Sequence, residues 1–525
     1  MRSVGPVFLI VVVSLFIVLV DNFSFAKHVL EVYPYKSENM AFLLSLGALL
    51  YALYVVLITL FSSKYILKPL LMFLLVLSSV ISYFMNSYNI VIDKTMIENV
   101  METDTSESFD LLSFKLLLYV LFLGLIPAYL VYKTPVKYSG FKSALWKRVK
   151  LLLVHLALVG AILFGFSKFY TSFFREHKPL RLYPNPLAAI YKSISYTYDQ
   201  FKHGDVPMKK IGLDAKQVKK NEKRKIFIMV VGEAARSDHF SLNGYKKETN
   251  PLLKKENIIN YTNMFSCGTT TAVSVPCMFS PYDREDYDSS KGHNTYSALD
   301  VLAQAGVEVL WRDNNSDSKG VAIRVAHENY RSVELNTICD EECRDEGMLV
   351  GLKEVIKKSQ KDIIIVLHQM GNHGPAYYKR YTDAFNKFKP VCQTNQLEEC
   401  SKEEISNAYD NALLYTDYFL SKTINFLKQY DTNKNEVGML YIADHGESLG
   451  DNGLYLHGLP YFIAPEHQKH VGALAWFGKN YEIDKERLGK ERKKEFTQDY
   501  LFSTLLGLFE VKSEVYKETM DMFKP

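Results

Sequence analysis

The stretch Ile226-Phe227-Ile228-Met229-Val230-Val231-Gly232-Glu233 opens with six apolar residues, four of them β-branched, and ends in a glycine and a carboxylate. A short, unbroken apolar run of this kind reads as a strand buried on both faces. Three more runs like it follow, at Val307–Trp311, Ile363–Leu367 and Val437–Ile442. Helical stretches lie between them, at Tyr296–Ala305, Leu349–Lys358 and Glu404–Tyr430. Alternating strand and helix predicts an α/β/α domain, with a mostly parallel central sheet and helices on both faces.

Ligands of such sheets bind beyond the carboxyl ends of the strands. The first strand ends in Gly232-Glu233, and the second runs into Asp313-Asn314-Asn315. The third ends in His368, followed by Gly371-Asn372-His373-Gly374-Pro375, and the fourth in Asp444-His445-Gly446-Glu447. One Asp-His pair reads as a loop or a cap; polar, metal-capable residues at every strand end read as a site. Glu233, Asp444 and His445 make a partial zinc shell. The fourth ligand and the nucleophile come from Cys267-Gly-Thr-Thr-Thr-Ala-Val-Ser-Val-Pro-Cys277, through the hydroxyl of Thr271. A bare hydroxyl is a poor nucleophile at neutral pH. A divalent cation that lowers the pKa of bound water from 15.7 to about 7 acts similarly on a coordinated alcohol. Thr271 also stands where a helix is predicted to begin, and helix N-terminal amides favour a phosphoryl group. On spacing alone the threonine run serves equally as an N-cap and turn. Asn315 and Lys319 are candidates for phosphate oxygens or an amine-bearing headgroup. His373 and His457 are candidates for a second metal ion or for protonating a leaving group.

At 525 residues the chain exceeds one ordinary domain. A net charge of +4 gives nucleic-acid binding no support. Five apolar runs, Val4–Val20, Ala41–Phe61, Leu70–Tyr83, Leu116–Tyr132 and Leu151–Phe166, approach the length of a membrane span. The first reads as an uncleaved anchor, because its run is long and four more follow. The loop after the fourth run carries Lys133, Lys137, Lys142, Lys147, Arg148 and Lys150, whereas the loop after the third is acidic. The positive-inside rule then puts the N-terminus in the cytoplasm and everything after Phe166 outside. All six cysteines, Cys267, Cys277, Cys339, Cys343, Cys392 and Cys400, lie in that outer part. An oxidising compartment suits disulfides. Fifteen connectivities exist, of which three local pairs in sequence order are favoured.

Three regions follow: a membrane domain over 1–168, interfacial helices and linker over 169–224, and a catalytic domain over 225–525. Aromatic and basic residues alternate from Tyr170 to Tyr183, as suits a headgroup interface. A helix is predicted from Leu187 to about Phe201. Lys209–Lys225 is polar and basic and reads as a tether, with 216–225 a solvated linker.

Gly232-Glu233-Ala234-Ala235-Arg236, the Cys267–Cys277 stretch, Asn314-Asn315-Ser316-Asp317-Ser318-Lys319, His373-Gly374-Pro375 and Ala443-Asp444-His445-Gly446-Glu447-Ser448 resemble the membrane-bound phosphoethanolamine transferases of Gram-negative bacteria. That group includes the lipid A enzymes and the mobile colistin-resistance proteins, within the alkaline phosphatase and sulfatase superfamily. The resemblance covers the whole chain. It implies a multi-pass inner-membrane enzyme with an alkaline phosphatase-like domain in the periplasm. A zinc-activated Thr271 would take phosphoethanolamine from phosphatidylethanolamine, releasing diacylglycerol, and pass it to lipid A or another envelope acceptor. The altered surface charge would confer polymyxin resistance. Carried over by motif, Glu233, Thr271, Asp444 and His445 form the zinc site. Thr269, Asn315, Lys319, His373, Glu447 and His457 surround the substrate phosphate. Asn99 and Glu107 lie in a segment near the lipid site. One zinc ion is implied, with a second near His373 and His457. Nothing asks for more than a monomer. Of the rivals, a sulfatase needs a CxPxR-type Cys or Ser that this chain lacks. A lipoteichoic acid synthase, which would transfer glycerol phosphate, is not expected to be rich in cysteines. A non-catalytic sensor of the same fold predicts broken ligand positions, and none is broken.

Overall fold

The structure is a computed structural model that describes residues 3–102, 111–203 and 207–524. By their contacts these form two units. One takes in residues up to Ile97 together with Leu112–Thr197; the other takes in Glu98 to Glu102 together with Tyr198 onward.

The first unit is helical. Four of its helices are long and apolar enough to cross a membrane: Ser37–Phe61, Leu67–Tyr88, Phe114–Lys133 and Phe141–Gly165. Each of the last four predicted runs coincides with one of them to within a residue at its C-terminal end or falls short of it, because polar and interfacial residues continue the helix beyond its apolar stretch. The first run behaves differently. Its helix breaks at Asp21–Asn22, and the pieces Pro6–Asp21 and Phe23–Val32 meet at 58°. The break has a polar anchor. Asn22 donates through Nδ2 to the carbonyl of Asn185 (2.7 Å) and accepts from its backbone N–H (2.8 Å). Asn185 in turn donates to the carbonyls of Asp21 (2.9 Å) and Ser78 (2.8 Å), and the Ser78 hydroxyl to Asp21 (2.6 Å). The aromatic segment from Tyr170 is only partly an outward-facing surface. In helix Ser167–Arg175, Tyr170 and Phe173 are buried, and Tyr170 meets Ser45 at 3.1 Å.

The second unit is built on an eight-stranded sheet. We number its strands β1 (Arg224–Gly232), β2 (Ile258–Phe265), β3 (Glu308–Asp313), β4 (Ala326–Asn329), β5 (Ile363–His368), β6 (Asn435–Ala443), β7 (His470–Phe477) and β8 (Phe496–Thr497). Their order is β8-β2-β7-β6-β1-β5-β3-β4. Only β7 runs against its neighbours β6 and β2, so the sheet is mixed but mostly parallel. The four predicted strands are consecutive in the sheet, β6-β1-β5-β3, and apolar because both faces are covered. The other four escaped the pattern. Asn260, Thr262 and Asn263 interrupt β2, and β7 is rich in small residues of weak strand preference.

Register levels the strand ends. Val231 pairs with His368, Asp313 with His368, and Gly232 with Ala443. The three local disulfides form: Cys267–Cys277, Cys339–Cys343 and Cys392–Cys400. The basic stretch 216–225 is not a solvated tether. Lys216–Gln217 pairs with Val511–Lys512, Lys219 meets Asp362 at 2.8 Å, and Lys225 is buried between Glu436 and Glu510 at 3.4 Å each. Acidic side chains around the opposite end of the sheet draw these lysines in.

Helix Lys402–Lys428 opens with a capping box between Ser401 and Glu404. Its Asp417 is fully buried and accepts the N–H groups of Leu252 and Leu253 (2.9 Å each). Burial pushes this carboxyl up to about 7. The folded state therefore holds the proton more tightly than the unfolded chain. The associated stability is full below about pH 4 and is lost as pH rises to about 7. Relative to Asp417→Asn, the detergent-solubilised protein should gain about 1.4 kcal/mol per pH unit on acidification through that window, measured by denaturant unfolding. A pH-independent difference between the two proteins would contradict the assignment.

Candidate active site

The site grows from three backbone turns. After β1 the chain passes Glu233 and enters Ala234, whose φ of 51° is the left-handed region that non-glycine residues rarely occupy. Bonds on each side hold this turn. Ala234 N–H donates to Asp444 Oδ1 (3.1 Å), and Tyr409 OH donates to the Ala234 carbonyl (2.7 Å). After β6, Asp444 N–H donates back to the Gly232 carbonyl (2.9 Å), so the turns after β1 and β6 are stitched together. The third turn starts helix Thr271–Met278, closed on itself by Cys267–Cys277.

Thr270 occupies the N-cap position, but its side chain makes no capping bond. The hydroxyl of Thr271 instead points at the sheet edge, 3.1 Å from Glu233 Oε2 and 3.3 Å from His445 Nε2. His445 Nε2 lies 3.4 Å from Glu233 Oε1 and 3.4 Å from Asp444 Oδ2. All four residues are buried. Donors held about 2.0–2.2 Å from a tetrahedral zinc ion stand about 3.3–3.6 Å from one another, close to these separations. The remaining ring nitrogen settles the tautomer. His445 Nδ1 donates to the Gly446 carbonyl (2.8 Å), leaving Nε2 with its lone pair towards the cage. Asp444 Oδ2 is buried and accepts no hydrogen bond. These residues fit a zinc ion.

Around the cage, Asn315 donates to Glu233 Oε2 (2.9 Å) and to the Gln369 carbonyl (2.7 Å), so its amide orients a cage residue. Asp313 shapes that loop by accepting the N–H groups of Asn315 (2.9 Å) and Asp317 (3.1 Å). His368 Nδ1 steadies Asp313 at 2.8 Å. Lys319 reaches the carbonyl of Glu102 at 3.0 Å. Thr269 donates its hydroxyl to the Leu459 carbonyl (2.7 Å), tying the threonine loop to the His457 loop. His457 Nδ1 lies 3.3 Å from both Glu447 oxygens, and its ring centroid is 4.2 Å from that of His445. The ring of His373 lies 6.1 Å from that of His457. Burial pushes Glu447 up to about 8 and His457 down to about 4. Burial, with Arg380 nearby, holds His373 well below the usual histidine range. A cation in the cage draws the carboxyl back down. Among the described residues, His373 and His457 join no cluster of three candidate ligands. Asn99 sits half-buried in helix Lys94–Glu102, and Glu107 lies outside the described residues.

Comparison with known proteins fixes the family. Phosphatidylethanolamine transferase Mcr-1 of Escherichia coli is 42% identical over 531 residues, which cover 98% of this chain and 97% of that one. The chain belongs to the phosphoethanolamine transferase family. A family model described as phosphoethanolamine transferase EptA/EptB matches residues 50–201, and one described as sulfatase matches 225–511. The integral membrane lipooligosaccharide phosphoethanolamine transferase A of Neisseria meningitidis matches with a TM-score of 0.96 at 35% identity, covering 100% of both chains. The C-terminal periplasmic domain of phosphoethanolamine transferase EptC from Campylobacter jejuni is 43% identical, with a TM-score of 0.54, covering 61% of this chain and 98% of that one. This transferase thus combines a helical N-terminal region of four to five candidate spans with an alkaline phosphatase-like domain.

Two contributors to the transferase site carry no motif. Gln498 accepts the Cys267 N–H (2.7 Å) and donates to the carbonyls of Ala443 and Asp444 (2.8 Å each), clamping the threonine loop to the β6 turn. It lies over 200 residues from Cys267, and a lone glutamine before a helix gives no signal. Arg380 donates to the His373 carbonyl (2.7 Å), equally unannounced. Because Asn315 orients Glu233, Asn315→Ala should weaken zinc binding about 10–100-fold. Competition with a chromophoric chelator measures this, and unchanged affinity would assign the amide elsewhere.

Proposed function

We propose that this enzyme transfers phosphoethanolamine from phosphatidylethanolamine to a lipid A phosphate, or a related envelope acceptor, through a covalent intermediate on Thr271. The observation that carries this reading is the Thr271 hydroxyl, 3.1 Å from Glu233 and 3.3 Å from His445 at the start of a helix. Zinc bound by Glu233, Asp444 and His445 would lower the pKa of that hydroxyl and offset negative charge at phosphorus. The chain's own groups do the rest. Glu233 Oε2 accepts the hydroxyl hydrogen bond and so aims an oxygen lone pair outward. First-turn amides of helix Thr271–Met278 face the phosphoryl oxygens. His457 and His373, kept neutral by burial, are bases that can take up the proton the Thr271 hydroxyl gives up and pass it to the leaving alkoxide. Lys319 and Asn315 border the headgroup position.

The four long helices and the bent pair support five spans. With the basic loop after the fourth span, they support a cytoplasmic N-terminus and a periplasmic catalytic domain in the inner membrane. The three disulfides suit that compartment. Capping a lipid A phosphate with phosphoethanolamine adds a cationic amine and lowers surface negative charge. Cationic peptides such as polymyxin then bind the surface less tightly.

The test is mass spectrometry of lipid A from a Gram-negative host lacking its own transferases. Cells carrying this chain should show a phosphoethanolamine adduct, and cells carrying Thr271→Ala should lose it by about a thousandfold or more. An undiminished adduct in the variant would remove Thr271 as nucleophile.

A further inference from the structure

A cavity of about 380 Å³ lies beside the site, between the Asn314 turn and the Cys339–Cys343 loop. Its walls include Arg331, Lys379 and Arg380. Two of these are bonded to loops of the active site: Arg331 donates to the Asn315 carbonyl (3.2 Å), and Arg380 to the His373 carbonyl (2.7 Å). The cavity also holds acidic residues, and most have a basic partner. Asp340 is bridged by Arg344 (2.9 Å through Nε), and Glu342 by Arg380; Glu341 is exposed. Burial and the neighbouring Arg380 disfavour the charge of Arg331, and Glu342, which bridges Arg380, favours it. Basic side chains converging on one wall with Glu342 among them can take a further anion. At its rim Val333 is 71% exposed, and Leu335 nearby is 45% exposed.

The transfer reaction proposed above needs such a place. Its second half brings a phosphate up to a phosphoryl group, anion against anion. The zinc cage itself holds two carboxylates, an imidazole and a hydroxyl, and carries no lysine or arginine. Guanidinium forks match phosphate oxygens two at a time, and an exposed apolar lip suits the lipid part of an amphipathic acceptor. We propose that this cavity is the acceptor subsite: it takes the phosphate of a phosphorylated glycolipid, with Arg331 as the main fork, Lys379 and Arg380 beside it, and Val333 against the apolar part. The inference rests on phosphoethanolamine transfer through Thr271. In that step an oxygen of the monoanionic acceptor phosphate attacks the phosphorus held on Thr271. The new P–O bond forms as the P–Oγ1 bond breaks. Oγ1 leaves with the electron pair and takes up the proton that the acceptor gives up.

The experiment uses full-length protein in detergent and follows two steps separately. Fluorescent phosphatidylethanolamine without acceptor reports the diacylglycerol burst. A synthetic monophosphorylated diglucosamine lipid then reports transfer. Arg331→Gln should raise the acceptor KM about tenfold or more, out of proportion to any change in the burst, with partial recovery in Arg331→Lys. Lys379→Gln should act in the same direction, which keeps the test alive if the arginine variants misfold. Val333→Ser should weaken the lipid acceptor more than glucosamine 1-phosphate. Burst and transfer falling together, or an unchanged KM in Arg331→Gln and Lys379→Gln, would overturn the subsite. Equal effects of Val333→Ser on both acceptors would overturn its lipid-facing half. A wild type without any burst would instead overturn the transfer reading itself.

Discussion

Two buried carboxylates and an imidazole within hydrogen-bond range of one another are the constraint on which the catalytic unit depends. Glu233 and Asp444 set two carboxylates side by side in a water-poor pocket that favours a compensating cation, since an unpaired buried charge costs several kcal/mol. His445 does not supply one, because burial disfavours its charged form. The sheet brings these groups together regardless. Register along β1, β5 and β6 is fixed by a fully buried apolar core, and slipping it by one residue would exchange the side chains packed on its two faces. The hydrophobic core thereby holds an electrostatically unfavourable arrangement in place, and a metal ion relieves it.

Much of this was legible in the chain. The strands β6, β1, β5 and β3 declared themselves as short β-branched runs, and their ends declared the cage, because a parallel sheet leaves its polar residues where the strands stop. β2 and β7 did not, since Asn260, Thr262 and Asn263 interrupt the one and small residues fill the other. The break after the first apolar run was hidden as well. Asp21 marked the end of a hydrophobic stretch, but nothing local said that the helix would turn there instead of ending.

At the site, sequence named the groups that the sheet edge brings together but not the bonds that position them. Asn315, read as a candidate for phosphate oxygens, turns its amide to Glu233, and Thr269 turns its hydroxyl to the Leu459 backbone. Such roles depend on what is opposite a side chain in space, which spacing along the chain does not report. Gln498 is the clearest case, a neutral residue with no pattern around it that joins two motifs. The lysines of 216–225 went wrong for the same reason, because their acidic partners arrive from positions 362, 436, 482 and 510.

The bent first helix has a consequence for biogenesis. Lipid offers no water to satisfy polar groups at a helix break, and here the partner of Asn22 is Asn185, 163 residues later. When the bent first helix leaves the ribosome, its break is therefore incomplete, and it stays so until Asn185 has been made. An early segment of the chain is thus among the last to be finished. A truncated product ending before residue 185 would carry an open polar break, a feature by which membrane quality control could distinguish it from the finished enzyme.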